Sequence, residues 1–228
     1  MSSIPPLEGM DPLLSVHQDM FRPAGKTKWV GYISSTSVYS ESEGGWVDEG
    51  SPTDQSLNRC IAENLWLELG DLEEMRSRVF RCAGIYGPNR NALATLRARK
   101  AGNTTDSKLV SRIHVGDLCR GIHASMTSSI SDRKRVYNMS DDLPASRRDV
   151  FSYAKRLGSI SEGDTDLVKL TRRDKSRSSK RVKNARLHNE LITDLVYPSY
   201  VEGLKDLESQ CIWPFTESIL QVSVNRNN

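Results

Sequence analysis

The sequence predicts an α/β fold built around a parallel sheet, and three observations carry that expectation. Trp29, Val30, Tyr32 and Ile33 form a short apolar run rich in strand formers and too short for a core helix. Two further strand-like runs follow at residues 78–83 and 135–139. Between the first two, residues 55–69 set Leu57, Ile61, Leu65 and Leu69 at four-residue spacing with Cys60 beside them, the pattern of an amphipathic helix.

Taken in order, residues 11–21 suit a helix, with Asp11 as N-cap, Pro12 in the first helical position, and Leu13, Leu14, His17 and Phe21 on one face. His17 reads there as an ordinary, partly buried histidine. The first strand then breaks into Ser34, Ser35, Thr36 and Ser37. Hydroxyls at the carboxyl end of a parallel strand stand where open α/β sheets bind ligands, although such hydroxyls also serve local backbone groups. Gly44 and Gly45 read as a turn before Trp46, Val47, Asp48 and Glu49. Residues 111–115 lead into a helix at 117–126; Asp141 to Pro144 is a turn; Ser146 caps a helix to residue 157; Asn184 caps another to 191; residues 201–208 form the last. Residues 158–179 are polar and aperiodic and run into a basic stretch (Arg172, Arg173, Lys175, Arg177, Lys180, Arg181, Lys183, Arg186). No aromatic residue interleaves these charges, so the stretch reads as a solvated loop rather than a nucleic-acid surface. The last residues, 211–228, are expected to fray.

At 228 residues the chain suits one domain, or one with a small lobe, and can bury a real core. Hydrophobic residues at 37% and charged residues at 27% are those of a soluble globular protein, and a net charge of +3 specifies no partner. Cys60, Cys82, Cys119 and Cys211 are widely spaced and read as reduced intracellular thiols, not as a disulfide frame or a zinc site. No run approaches the roughly 18 apolar residues of a membrane span, and MSSIPPLEGMDP has neither signal-peptide nor transit-peptide character. A cytoplasmic location is expected, or a plastid one should a targeting segment precede this sequence.

Ser34-Ser35-Thr36-Ser37-Val38-Tyr39-Ser40 resembles the Ser-Ser-x-x-Val-Tyr-Gly signature of the extended and atypical short-chain dehydrogenase/reductases, the NAD-dependent epimerase/dehydratase-like group, with Ser40 in place of the glycine. RVFRCAGIYGPNRN from Arg78, SRIHVGD from Ser111, RVYNMSDDLPASRRDVFSYAKRL from Arg135, and KRVKNARL from Lys180 extend the resemblance over nearly the whole chain. It implies a partial doubly wound, Rossmann-type parallel sheet lacking its first βαβαβ half, since SSIPP follows the fourth strand in the family. Residues 1–90 would be the second half of that domain. Residues 91–210 would be a small α/β substrate lobe, with a last sheet strand and helix around 110–127.

The resemblance also implies NAD or NADP as cofactor. Ser34, Arg59, Gly84, Ile85 and Tyr86 would contact it, Ser35 and Thr36 would polarise a substrate oxygen, and Arg90 and Arg112 would hold a small-molecule substrate. Two family features are missing. The pyrophosphate-cradling Gly-x-Gly-x-x-Gly turn is not in the sequence. The Tyr-x-x-x-Lys pair, anchored on Glu63, reads Gln55 and Arg59, and glutamine cannot exchange a proton. An Arg59–Glu63 ion pair at i,i+4 is the plainer reading of that helix face, and Tyr39 is a conceivable substitute acid/base. His114 and Asp117 match the family's lobe-tying and helix-capping positions. Two roles follow as alternatives: an NAD(P)-dependent oxidoreductase or epimerase-like enzyme, and a non-catalytic binding module. No metal, nucleic acid or membrane is expected as partner. Self-association through the 29–34 strand edge is expected.

Overall fold

The computed structural model of the chain describes residues 1–17, 21, 27–72, 75–98, 106–160 and 179–216. Along the chain the strands are β1 Trp29–Ser35, β2 Glu43–Val47, β3 Arg76–Cys82, β4 Gly84–Tyr86, β5 Leu109–Val110, β6 Arg112–His114, β7 Lys134–Met139, β8 Ala145–Ser146 and β9 Ser179–Val182. The helices are α1 Pro12–Val16, α2 Asn58–Glu68, α3 Ala92–Arg97, α4 Val115–Thr127, α5 Arg147–Leu157, α6 Ala185–Glu190 and α7 Tyr200–Glu208.

The centre is a three-stranded parallel sheet in the order β1-β3-β7. Its register sets Ser35 beside Cys82 and Cys82 beside Met139, so the carboxyl ends of all three strands share one rim. The strand that completes this sheet is β7, further along the chain than the 110–127 segment expected to supply it; β6 instead pairs with β4 in a separate two-stranded ladder. Side chains alternate across the sheet. Val30, Tyr32 and Val79 face Ala62 and Trp66 of α2, with the Tyr32 and Trp66 rings stacked 5.9 Å apart. Phe80, Tyr137 and Met139 face Leu118 and Ile122 of α4, where Trp29 and Ile33 also pack. The outer edge of β1 is bridged at its middle by Ser2, which accepts from the Ile33 N–H and donates to the Gly31 carbonyl. The edge expected to stand open is therefore covered over that span.

Helix α2 begins at Asn58 rather than 55, because Asp54 holds Ser56 in a local turn by accepting from its N–H and hydroxyl. Its buried face is Cys60, Ala62, Glu63 and Trp66, while Leu57 and Ile61 of the four-residue stripe stand exposed. A charged residue took the inward position because a partner waits there. The Arg81 guanidinium of β3 grips the Glu63 carboxylate through Nε and Nη2, the latter at 2.8 Å, with both side chains buried. Ser34 of β1 donates to the same carboxylate. The Arg81 guanidinium lies 4.9 Å from the Tyr39 ring centre, and the Tyr39 hydroxyl donates to Asn138 of β7 at 2.6 Å. One network thus ties α2 to all three strands.

The glycine pair 44–45 lies inside β2 rather than at a turn. β2 pairs with β9, with a register irregularity between Glu43 and Trp46 and Gly44 at φ +101°. Glu49 orders its loop by accepting from the Asn138 N–H at 2.9 Å. Helix α1 is capped by Asp11 as expected, but His17 is exposed. Residues 18–20 of the expected helix lie outside the described residues, as do 161–178 of the basic loop and 217–228 of the tail.

The smaller lobe packs α3, α5 and α7 around Leu93, Leu96, Phe151, Ala154 and Leu204. α5 opens with a Ser146–Asp149 capping box. Helix α4 is capped by the His114 side chain; Asp117, expected as the cap, instead accepts from the Val196 and Tyr197 N–H groups and pairs with Arg120. Asn184 likewise makes no cap and donates to the Ser140 carbonyl and to Asp142. Trp213, within the tail expected to fray, packs against the α4 start: a Cβ on Gly116 would come within 1.7 Å of its indole. The His114 ring stacks beneath that indole and touches Tyr197 at 4.1 Å between centroids.

Two predictions follow from this packing. Glu63→Ala strands the Arg81 charge, and unfolding in urea should register a loss of about 3–5 kcal/mol. Replacing both residues by leucine should recover most of it, and a single variant as stable as the parent would sink the assignment. His114 is held down to about 4 from its ordinary 6.5 by burial, against weaker pulls from Asp117 and Asp206. The unfolded chain therefore takes up the proton first, and stability falls as pH drops from 6.5 towards about 4. His114→Asn keeps a capping acceptor and should flatten that part of the pH–melting curve; an unchanged slope would refute the account.

Candidate functional site

The serine-rich turn follows β1 as a short 3-10 turn at Thr36–Val38. Ser35 caps it by accepting from the Ser37 N–H at 3.1 Å, and Ser35 and Thr36 are both half-buried. Ser34, expected to touch a cofactor, is buried with its hydroxyl committed to Glu63. Alternation along β1 explains the split: consecutive residues point to opposite faces, so the signature's first serine braces the helix.

Arg59 does not take Glu63, whose carboxylate belongs to Arg81 and Ser34. Arg59 donates instead to the Ile33 carbonyl at 3.3 Å, beside the end of β1. Its charge also reaches Cys82, at the end of β3, where burial pushes the thiol up to about 12 and Arg59 draws it back. Gln55, in the position of the expected tyrosine, donates to Thr53 on the surface. Tyr39 is buried, which raises its pKa against the opposing pull of Arg81, and its proton is given to Asn138. A buried, engaged phenol is badly placed to exchange protons with a ligand.

A lysine unassigned from sequence completes the turn. Lys180 of β9, read as part of a solvated basic run, is buried, and its Nζ donates to the Tyr39 carbonyl at 2.9 Å and the Thr36 carbonyl at 3.3 Å. Desolvation lowers its pKa, with Glu41 opposing. Its neighbour Arg181 lies 5.0 Å over the Trp46 ring and donates to the Gly44 carbonyl. No spacing rule could have found Lys180, because its acceptors lie more than a hundred residues upstream.

Past the rim, β4 carries Gly84 and Ile85 into a cavity of about 260 Å³. Gly84 is open to solvent, and its N–H is held by the Ser111 carbonyl. Tyr86 is buried and donates to the Ser199 carbonyl; α7 passes so close that a Cβ on Gly203 would fall 2.2 Å from its hydroxyl. Arg90 and Arg112 both line the cavity, as expected of substrate contacts, and Arg112 is braced by donating to the Val110 and Ala145 carbonyls. Arg147, Phe151 and Tyr200 line it too and were not foreseen; Arg147 lies 4.5 Å over the Phe151 ring. The fold thus gathers Ser35, Thr36, Arg59 and Gly84 at one rim, with Arg90 and Arg112 in the cavity beyond. Among the described residues no cluster of His, Cys, Asp and Glu is arranged to hold a metal, and no helix is long and apolar enough to cross a membrane.

No family model and no curated protein matches the sequence. Solved structures do. A functionally unknown conserved protein from Silicibacter pomeroyi DSS is 34% identical, with a TM-score of 0.79 over 92% of this chain and 77% of its own. A putative NAD-dependent epimerase/dehydratase from Methylobacillus flagellatus is 27% identical, with a TM-score of 0.58 over 80% of this chain and 64% of its own. UDP-glucuronic acid 4-epimerase from Bacillus cereus, solved with UDP-glucuronic acid and NAD, shares the fold at 18% identity and a TM-score of 0.67, over 82% of this chain and 63% of its own. The chain thus spans slightly under two thirds of the last two.

Lys180→Met should leave the turn carbonyls short of a donor and cost about 1–3 kcal/mol. Limited proteolysis should cut faster between Thr36 and Ser40; a variant with parental stability and cleavage would show that the ammonium does not hold the turn.

Proposed function

We propose that this chain is a member of the epimerase/dehydratase-like short-chain dehydrogenase/reductase family, whose fold its solved neighbours share, and that its rim binds the nicotinamide end of NAD or NADP. A small-molecule alcohol or carbonyl would lie beside it. The observation that carries this reading is the convergence of Ser35 and Thr36 with Arg59 and the open Gly84 at the carboxyl ends of β1 and β3, the side on which open α/β sheets take their ligands. Ser35 and Thr36 are suited to donate hydrogen bonds to a substrate oxygen, and the Arg59 guanidinium to a ribose hydroxyl or phosphate. Bound dinucleotide supplies the hydride donor or acceptor. The residues present fit its nicotinamide half; the sequence holds no Gly-x-Gly-x-x-Gly turn to fit its pyrophosphate.

A second reading, a binding module without turnover, is favoured by one observation. Neither Gln55 nor the buried Tyr39 can act as the acid/base that hydride transfer to a carbonyl requires. In the enzyme reading that proton comes from water or from the substrate itself.

Titration of the purified chain with NADP and NAD, followed by tryptophan fluorescence, tests the proposal. Saturation at micromolar concentration is expected, weakened about tenfold in Arg59→Ala by loss of a charged hydrogen bond. Failure to saturate with either dinucleotide would overturn the cofactor reading. Saturation without turnover of any alcohol or carbonyl would favour the binding module.

A further inference from the structure

The cavity beyond Gly84 has a distinctive lining. Arg90, Arg112 and Arg147 stand in its wall. The first turns of α5 and α7, helices of 11 and 9 residues, supply Arg147, Val150, Phe151, Tyr200 and Leu204. Both helices therefore turn the positive ends of their dipoles towards the space. Its floor is apolar, from Val150, Phe151 and Leu204. Two of the three guanidiniums have their planes fixed, Arg112 by the carbonyls of Val110 and Ala145 and Arg147 by stacking on Phe151. A fixed guanidinium is pre-organised for planar, paired contact with a phosphate or carboxylate.

Size narrows the ligand. About 260 Å³ lies at or below the lower end of ordinary ligand pockets, roughly 300–1,000 Å³. At roughly 30 Å³ for a water-sized group, it holds on the order of ten such groups. That suits a short-chain organic anion and is too little for a nucleoside diphosphate sugar of the kind bound by the epimerase of the same fold.

We propose that this cavity binds a small organic anion, a phosphate monoester or carboxylate of a few carbons, through Arg90, Arg112 and Arg147, and that it excludes a nucleotide handle. Calling this anion a substrate rests on the dinucleotide reading; its binding does not. Gly84 stands both at the rim and in the cavity wall, so an anion seated on the arginines lies next to the rim.

Calorimetric titration of the full chain at low ionic strength tests this with glycerol 3-phosphate, malate, uncharged glycerol and UDP as probes. Glycerol 3-phosphate or malate should bind with a dissociation constant below about 1 mM, and the tighter of the two identifies the head group. Glycerol should give no heat, and UDP should bind no more tightly than the better small anion. Arg90→Ser and Arg147→Gln should each weaken the small anion about tenfold, with circular dichroism and melting unchanged. Arg90 is exposed, so its variant tests the cavity without disturbing the fold. Binding of neither small anion, binding indifferent to both variants, or tighter binding of UDP would overturn the proposal. Repeating the NADP titration on the Arg90→Ser protein separates the two readings. Anion binding without dinucleotide binding would leave the cavity assigned and remove only the cofactor.

Discussion

The buried pair of Glu63 and Arg81 is the constraint on which the rest of this molecule depends. Two opposite charges taken out of water gain little net stability by themselves, but removing either leaves a charge that the interior cannot solvate. The pair therefore acts as a condition of assembly. α2 must seat on β3 with Glu63 inward, Ser34 must meet the same carboxylate, and Arg81 must pass beneath Tyr39. Once those are fixed, the Tyr39–Asn138 bond sets the far strand, and the turn between Ser35 and Tyr39 has little freedom left. The hydroxyls of Ser35 and Thr36 stay half-buried at the strand end, while Ser34 before them and Val38 after them are buried.

That economy also explains why the Ser34–Tyr39 stretch is kept here without a proton donor beside it. Val38 and Tyr39 are buried, and Tyr39 serves the Arg81 network. Lys180 draws the carbonyls of Thr36 and Tyr39 onto one ammonium from the opposite side. Most of the signature is therefore explained by architecture. Chemistry has a claim only on Ser35, Thr36 and what lies beyond them.

How legible was this in the sequence? Elements whose cause is local were readable: the Asp11 cap with its following proline, the Ser146–Asp149 capping box, and the three apolar runs that became the sheet. The errors share one physical form. Leu57 and Ile61 carry the helical period of α2 yet face water, since the inward face was decided by Arg81, eighteen residues past Glu63 and on another element. Lys180 and Arg181 look like members of a solvated charge run, and each is held by backbone carbonyls more than 130 residues upstream. Trp213 looks like tail and finds its place against Gly116 and His114. Periodicity reports what a segment can bury; which polar groups go with it is settled by partners that no local window contains. The candidate site divides in the same way. Arg90, Arg112 and Arg147 all lie within matched motifs, but Arg147 was read there only as part of a helix, and it joins the others with Tyr200 because two helix starts converge.

This division bears on what the molecule does. The rim, with Arg59 and the two hydroxyls, is made from the end of β1 and the helix packed on it, with Gly84 just past the end of β3. The arginine-lined cavity lies between β4, β5, β6 and the helices α3, α5 and α7, which pack around a separate apolar core of Leu93, Leu96, Phe151 and Leu204. The two meet at β4 and β6, where Gly84 pairs with Arg112 and Tyr86 lies against Gly203. A fold assembled this way can keep its rim while the lobe changes. On the reading proposed above, ligand identity is therefore to be read from the arginines of the lobe, not from the strand signature.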